Sequence, residues 1–475
     1  MDAAGVGGGK PPRSAEETPA RPAGELRREI GIVGGTAVIV GGVIGSGIFF
    51  KPFVISQQVQ GPGWVYLLWA VVGLVCLFGA FAYAELGCLF PEAGGQYAFL
   101  REGWGRFVAF LYGWCFFLVI NTGTLAALAV AFADVASDLA GFERDAEGAF
   151  GPGRDAIAVG MVLFLAVVNH FGVRFGALLQ TASTFAKVAG LLAIVAGGFL
   201  VAAWAGGPAE GAPAPAEVGL MVGLASAAVA IFWAYEGWYQ LPFNAAEMKD
   251  PHRDLPRALI YGTALLIVIY LATNVVYLRV VPFDEMRALS SDVEVPMLTI
   301  ARIFGAGATG FFSYFLCLSV LGAANPCLLS STRAMYAMSG DRLLPRWFLL
   351  VHPRWGTPWV AIWTQALWAI ALIAVIRTFQ DLTVYVIFAA LVFYALTVAS
   401  VYALRRRHPE RARPYRCWGY PITPALFILV ALVVDGFTLS NPAEQKNALV
   451  GLGIIATGVP VYLVMSRRRA PSPRA

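Results

Sequence analysis

The sequence predicts an all-α integral membrane protein of about twelve transmembrane helices, on three observations. Of its 475 residues only 13% are charged and 58% are hydrophobic, whereas a soluble domain carries about a quarter charged residues. Mean hydropathy is +0.68. The apolar residues gather in runs mostly 17–28 residues long between short polar loops. Such runs suit helices crossing about 30 Å of hydrocarbon, and are unlike barrel strands of about ten alternating residues.

Twelve runs are expected, at 29–57, 63–88, 104–139, 155–172, 176–204, 218–238, 258–281, 306–338, 358–376, 382–404, 421–440 and 448–466. Residues 1–28, with Gly, Pro, Arg and Glu and no apolar core, read as a disordered tail and not as a cleaved signal peptide. If this tail is cytoplasmic, its side of the membrane receives 25 of the 34 Lys and Arg residues. An excess of cytoplasmic basic residues orients such chains, so both termini are expected in the cytoplasm. The net charge of +5 follows from the same rule and gives no reason to invoke nucleic acid. By this topology the six cysteines lie in spans or on the cytoplasmic side, and no zinc spacing or Cys-His nucleophile pattern appears. No disulfide, metal, cofactor or enzymatic activity is therefore expected.

The first run contains Gly41-Gly42-Val43-Ile44-Gly45-Ser46-Gly47-Ile48-Phe49 at its middle. Glycine and serine are poor helix material, and a broken helix at membrane depth is tolerated only where its freed amides and carbonyls face protein, water or ligand. Two readings stand at this point: a ligand site, or a stripe of small residues for close helix packing. After the second run, Tyr83-Ala84-Glu85-Leu86-Gly87 leads to Pro91 and Gly94-Gly95, which stop the helix and turn the chain into a short bent segment before the third.

The fifth run holds Lys187 near its middle, about 16 Å deep at 1.5 Å per residue. A lysine there costs about 2.5–3.5 kcal/mol and should face inward, toward oxygen partners. The sixth run is interrupted by Tyr235-Glu236-Gly237 and, five positions on, Pro242. Breaks at corresponding positions of two halves point to a midplane site in an inverted-repeat transporter. Glu247, in the charged loop that follows, reads either as a gate contact or as a solvated interface charge. The connection 282–305 is expected to form a short external helix, and Ser319 in the eighth run reads either as an oxygen partner for Lys187 or as a hydroxyl bonded to its own helix.

Val43-Ile44-Gly45-Ser46-Gly47-Ile48-Phe49, the Tyr-Ala-Glu-Leu-Gly and Pro-x-Ala-Gly-Gly-x-Tyr pair, Thr184-Phe185-Ala186-Lys187, Trp233-Ala234-Tyr235-Glu236-Gly237-Trp238 and Arg333…Leu344-Pro345 occur in order. Together they resemble the amino acid–polyamine–organocation superfamily, and within it the L-type amino acid transporter family. The resemblance covers about 29–405. It implies a LeuT-like fold of 5+5 inverted repeats over 29–204 and 218–404 with broken helices 1 and 6. A basic loop at 405–420, two peripheral helices at 421–466 and a tail at 467–475 would follow. It also implies that substrate binds among Val43, Ile44, Gly45, Ser46, Gly47, Ile48, Trp233, Ala234, Glu236 and Gly237. The amides around Ser46 and Gly47 would hold a carboxylate, the Val43 carbonyl and those near Trp233 an ammonium, and Trp233 would gate the site. Lys187, with Ser319, would occupy the place where sodium-coupled relatives hold a cation.

Three departures stand out. Only Glu247 remains of two acidic residues, Ala390 replaces a polar residue of the tenth span, and Glu236 is the long acidic form of its position. The expected function is secondary transport of free L-amino acids across the plasma membrane by alternating access, as a sodium-independent exchanger of neutral and possibly cationic substrates. A membrane amino-acid sensor on the same fold and a proton-coupled symporter are the alternatives. Animal relatives attach to a glycoprotein through a cysteine in the loop after span 3. Residues 140–154 contain none, so no disulfide-linked ancillary subunit is expected.

Overall fold

The computed structural model describes residues 28, 30–91, 94–143, 151–201, 219–289 and 294–467. These are helical throughout, with one isolated bridge between Ile30 and Met248 as the only extended pairing among them. The expected tail at 1–28 lies outside the described residues except for Arg28, as does the C-terminal tail beyond Arg467.

Ten helices are long and apolar enough to cross a membrane, and an eleventh span is the pair Ile32–Val43 and Gly47–Gln58, bent by 48°. Hereafter these are half-helices 1a and 1b. The apolar helix Leu220–Tyr235 (6a) is shorter than a span because it stops at its break, and the chain resumes as a 3₁₀ helix, Leu241–Glu247. Each of the twelve expected runs thus has its helix or pair. The others are Pro62–Leu89 (span 2), Arg106–Leu139 (3), Pro152–Phe171 (4), Val173–Val201 (5), Pro251–Val280 (7), Gly307–Gly340 (8), Trp359–Ile376 (9), Phe379–Arg407 (10), Ile422–Ser440 (11) and Pro442–Arg467 (12).

Proline at the first position opens spans 2, 4 and 7, where its missing N–H costs nothing. The bent segment before span 3 is the helix Gln96–Trp104, set off by Gly95 at φ 48° and Gly105 at φ 90°. Both lie in the left-handed region that glycine enters freely. The connection 282–305 forms two helices where one was expected, Phe283–Ala288 and Glu294–Phe304.

Span 3 is regular except for a π-helical turn at Phe116–Asn121. There the Leu118 carbonyl accepts from Trp368 Nε1 at 2.7 Å and from the Tyr385 hydroxyl at 3.2 Å. These side chains from spans 9 and 10 tie span 3 to its neighbours.

Two glycines bring the broken span against its partners. A Cβ at Gly41 would lie 2.4 Å from Thr184 Cγ2 of span 5, and one at Gly47 would lie 2.3 Å from Ala234 Cα of 6a. The packing reading therefore holds at Gly41 and Gly47. Whether the stretch also builds a site depends on the residues between them.

Candidate substrate-binding site

Half-helix 1a ends where the Ile44 amide bonds back to the Val40 carbonyl at 2.9 Å, and 1b begins where the Ser46 carbonyl accepts from the Phe50 amide at 2.8 Å. Helix geometry leaves the amides of Gly47 and Ile48, in the first turn of 1b, without acceptors inside the helix. Half-helix 6a ends at Tyr235, and Gly237 turns the chain at φ 108°. A side chain there would be strained by that backbone conformation, although its Cβ would meet the Gly42 carbonyl only at ordinary contact, 3.4 Å. Two carbonyl-rich helix ends and one amide-rich end thus meet in one place, which favours a zwitterion: carbonyls attract a cation, amides an anion.

The break opens onto a small pocket of about 40 Å³. Of the residues expected to bind substrate, Val43, Gly45, Ser46, Gly47, Trp233 and Glu236 line it. Ile44, Ile48, Ala234 and Gly237 do not; the two isoleucines are buried at 0% exposure in the surrounding core.

Trp233 Nε1 donates to Ser46 Oγ at 3.1 Å, joining 6a to the break in span 1. The Tyr270 hydroxyl of span 7 lies 3.1 Å from the Val43 carbonyl and 3.0 Å from the Ala234 carbonyl. One hydroxyl hydrogen serves both, and each carbonyl keeps acceptor capacity for a further donor. Glu236 Oε1 accepts from the Tyr394 hydroxyl at 2.6 Å. Tyr394 follows Ala390 by one turn of span 10, so that wall does present a polar side chain. Sequence reasoning looked for it one turn too early. Tyr239 is a second hydroxyl within hydrogen-bonding reach of Glu236.

Lys187 and Ser319 are each about 1% exposed. Their helices pack at the same level, because Ser183 Oγ bonds the Leu318 carbonyl at 3.2 Å and Gly190 sits against Phe315. The expected bond between them is nevertheless absent, and the Ser319 hydroxyl has no hydrogen-bond partner among the described residues. Lys187 lies within electrostatic reach of Cys327, which lines the cavity. Glu247 pairs with Arg333 at 3.7 Å, with the two side chains 30% and 57% exposed. Such an exposed pair contributes little.

Sequence reasoning missed several lining residues: Thr124 and Leu128 of span 3, Gln240, and Ala323 and Cys327 beside Pro326 in span 8. Pro326 alone carried a signal, as a proline inside an apolar run. It also missed the partner of Glu85. That carboxylate, 1% exposed, accepts from Arg405 at 2.9 and 2.6 Å and from the Cys417 amide at 2.7 Å, and lies 3.3 Å from Arg413.

A bundle of about twelve spans, broken at spans 1 and 6 around a buried polar cavity, has the architecture of a LeuT-like membrane transporter. Residues 30–459 match the amino acid permease family, and the chain belongs to it. It is 30% identical over 449 residues to the serine/threonine exchanger SteT of Bacillus subtilis, covering 94% of this chain and 98% of that protein. It is 29% identical to the human b(0,+)-type amino acid transporter 1, covering 89% of this chain and 84% of the relative. It is also 29% identical to the human large neutral amino acids transporter small subunit 2, over 96% of this chain and 84% of the relative.

Proposed function

We propose that this protein exchanges free L-amino acids across a plasma membrane by alternating access, without sodium and without a disulfide-linked partner, both termini being cytoplasmic. The observation that carries the reading is the meeting of the 1a, 1b and 6a ends around Ser46, Gly47 and Trp233. The Gly47 and Ile48 amides suit an α-carboxylate, and the remaining acceptor capacity on the Val43 and Ala234 carbonyls suits an α-ammonium. Exchange, as against one-way flux, draws on the similarity to a serine/threonine exchanger. The ten spans within 29–404 are the transport unit in this reading, and spans 11 and 12 are peripheral. Absence of a cysteine from 140–154 removes the attachment point for an ancillary subunit.

The reading is tested by purifying the chain alone, reconstituting it in liposomes and measuring uptake of labelled serine, leucine and arginine with and without internal amino acid. Uptake that rises sharply with internal substrate supports exchange. Binding without flux would establish the sensor alternative, and dependence on a proton gradient the symporter.

A further inference from the structure

Where span 10 gives way to span 11, the two helices leave an open groove of about 470 Å³, within the size of small-ligand sites. Tyr402 forms one wall, and Pro421, Ile422, Ala425, Leu426 and Leu429 form the other. Ile422, Leu426 and Leu429 recur at the spacing of one helix face and are exposed, so in a spanning helix that face meets lipid. The Tyr402 hydroxyl donates to the Pro421 carbonyl, and these two polar groups satisfy each other. What remains of the lining suits hydrocarbon and not a polar solute.

The mouth of the groove is basic. Residues 405–420 hold six arginines and one acidic residue, Glu410, which faces His408 at 3.8 Å. Four of the arginines are engaged: Arg405 and Arg413 on Glu85, Arg407 on the Gly103 carbonyl and Arg411 on the Leu89 carbonyl. Arg406 and Arg416 are exposed and make no hydrogen bond or ion pair among the described residues. Arg406 follows Tyr402 by one turn of span 10, so both stand on one helix face. A helical side chain leans toward the N-terminus of its helix, which brings the Arg406 guanidinium back toward Tyr402 and the groove. Exposed Trp418, packed beside Phe81 at 5.5 Å, marks the loop as lying at headgroup depth. Leu429, eight residues beyond Pro421, lies about 12 Å deeper in the hydrocarbon.

We propose that this groove binds one anionic phospholipid, with an acyl chain along Ile422, Leu426 and Leu429 and the phosphate on Arg406. The excess of basic residues on one side of a membrane accounts for the number of arginines, but not for an unpartnered one at the head of an apolar groove. Juxtamembrane basic clusters draw anionic headgroups, whereas a zwitterionic headgroup brings its own cation up against them. Native mass spectrometry of the purified, delipidated full chain tests the site, by titration with phosphatidylglycerol, phosphatidylcholine of the same acyl chains, or glycerol phosphate. One phosphatidylglycerol should bind per chain, preferred over phosphatidylcholine by about fivefold or more, the worth of one arginine beside an anionic headgroup. Arg406→Gln should erase that preference. Ala425→Phe, which fills the groove from an exposed position, should weaken binding of both lipids, and thermal melting checks that each variant is folded. Phosphatidylglycerol binding unchanged in both folded variants overturns the site. Loss in Arg406→Gln alone overturns it in favour of diffuse surface charge, and loss in Ala425→Phe alone overturns the selection for an anion. Glycerol phosphate binding as tightly as the lipid would leave a bare anion site, and a dimer dissociated by Ala425→Phe would give the groove to a second copy; either result rejects the proposal.

Discussion

Two glycines of the span 1 break, Gly45 and Gly47, do different work. Gly47 is pressed against the Ala234 backbone, with 2.3 Å left for a Cβ, whereas a Cβ at Gly45 would rest 3.4 Å from Ala323. Gly45→Ala should therefore fold and retain transport, while Gly47→Ala should separate 1b from 6a and abolish it. Thermal melting in detergent and uptake, measured on the same preparations, check both. A bulky residue at Gly47 is for that reason a poor probe of substrate space. Glu236 is a better probe, since it lines the cavity and its Oε1 is held by Tyr394 at 2.6 Å. If it selects cationic side chains, Glu236→Gln should weaken competition by arginine and lysine by about tenfold or more, the value of a charge-assisted hydrogen bond. Competition by leucine or alanine should move little. Equal effects on both groups would reassign the residue to helix geometry.

At the scale of elements, the basic loop between spans 10 and 11 is held by a charge on span 2. Glu85 binds Arg405, faces Arg413 and takes the Cys417 amide. Arg411 reinforces the strap through the Leu89 carbonyl at 3.0 Å. Removing one member of such a buried network costs about 3–5 kcal/mol, because the remaining charges lose their partner. Burial pushes the Cys417 thiol up to about 12, with the Glu85 charge adding to the shift. Thiolate is therefore scarce near neutral pH, and thiolate is the reactive form. Alkylation of Cys417 at pH 8 should be slow in the wild type and much faster in Glu85→Ala, where the loop loosens and the neighbouring charge is gone. Mass spectrometry of the alkylated peptides reads this directly.

For the whole molecule, the proposed sodium independence rests on Lys187, buried at the midpoint of span 5, which packs on span 8 through Ser183 and Gly190. In the proposed reading, Lys187 as an ammonium would repel a sodium ion from the same low-dielectric pocket. Replacing sodium with choline should thus leave exchange unchanged, and Lys187→Ala should lower it on the order of tenfold by uncoupling spans 1, 5 and 8. A steep sodium dependence of the wild type would reject the argument, and an unaltered rate in Lys187→Ala would reject the role of the lysine.

Much of this architecture was legible in the chain because a bilayer enforces it. Every span must satisfy its own backbone, so length and hydropathy locate the helices, and the breaks at Gly41–Gly47 and Glu236–Gly237 stand out as exceptions requiring a reason. Side-chain partners across the bundle leave no such mark. The bonds of Tyr270 to two helix ends, of Tyr394 to Glu236 and of Lys51 to Gln380 join residues 36 to 329 positions apart. None has a periodicity to betray it, and the π turn at Phe116–Asn121 lies in a run that reads as ordinary helix. The sequence by itself determined the number, order and interruption of the spans, because those follow from local chemistry set against hydrocarbon. Which side chains meet around the cavity was decided only by tertiary packing, because close contact depends on the rotation and crossing of helices whose apolar faces all look alike to lipid.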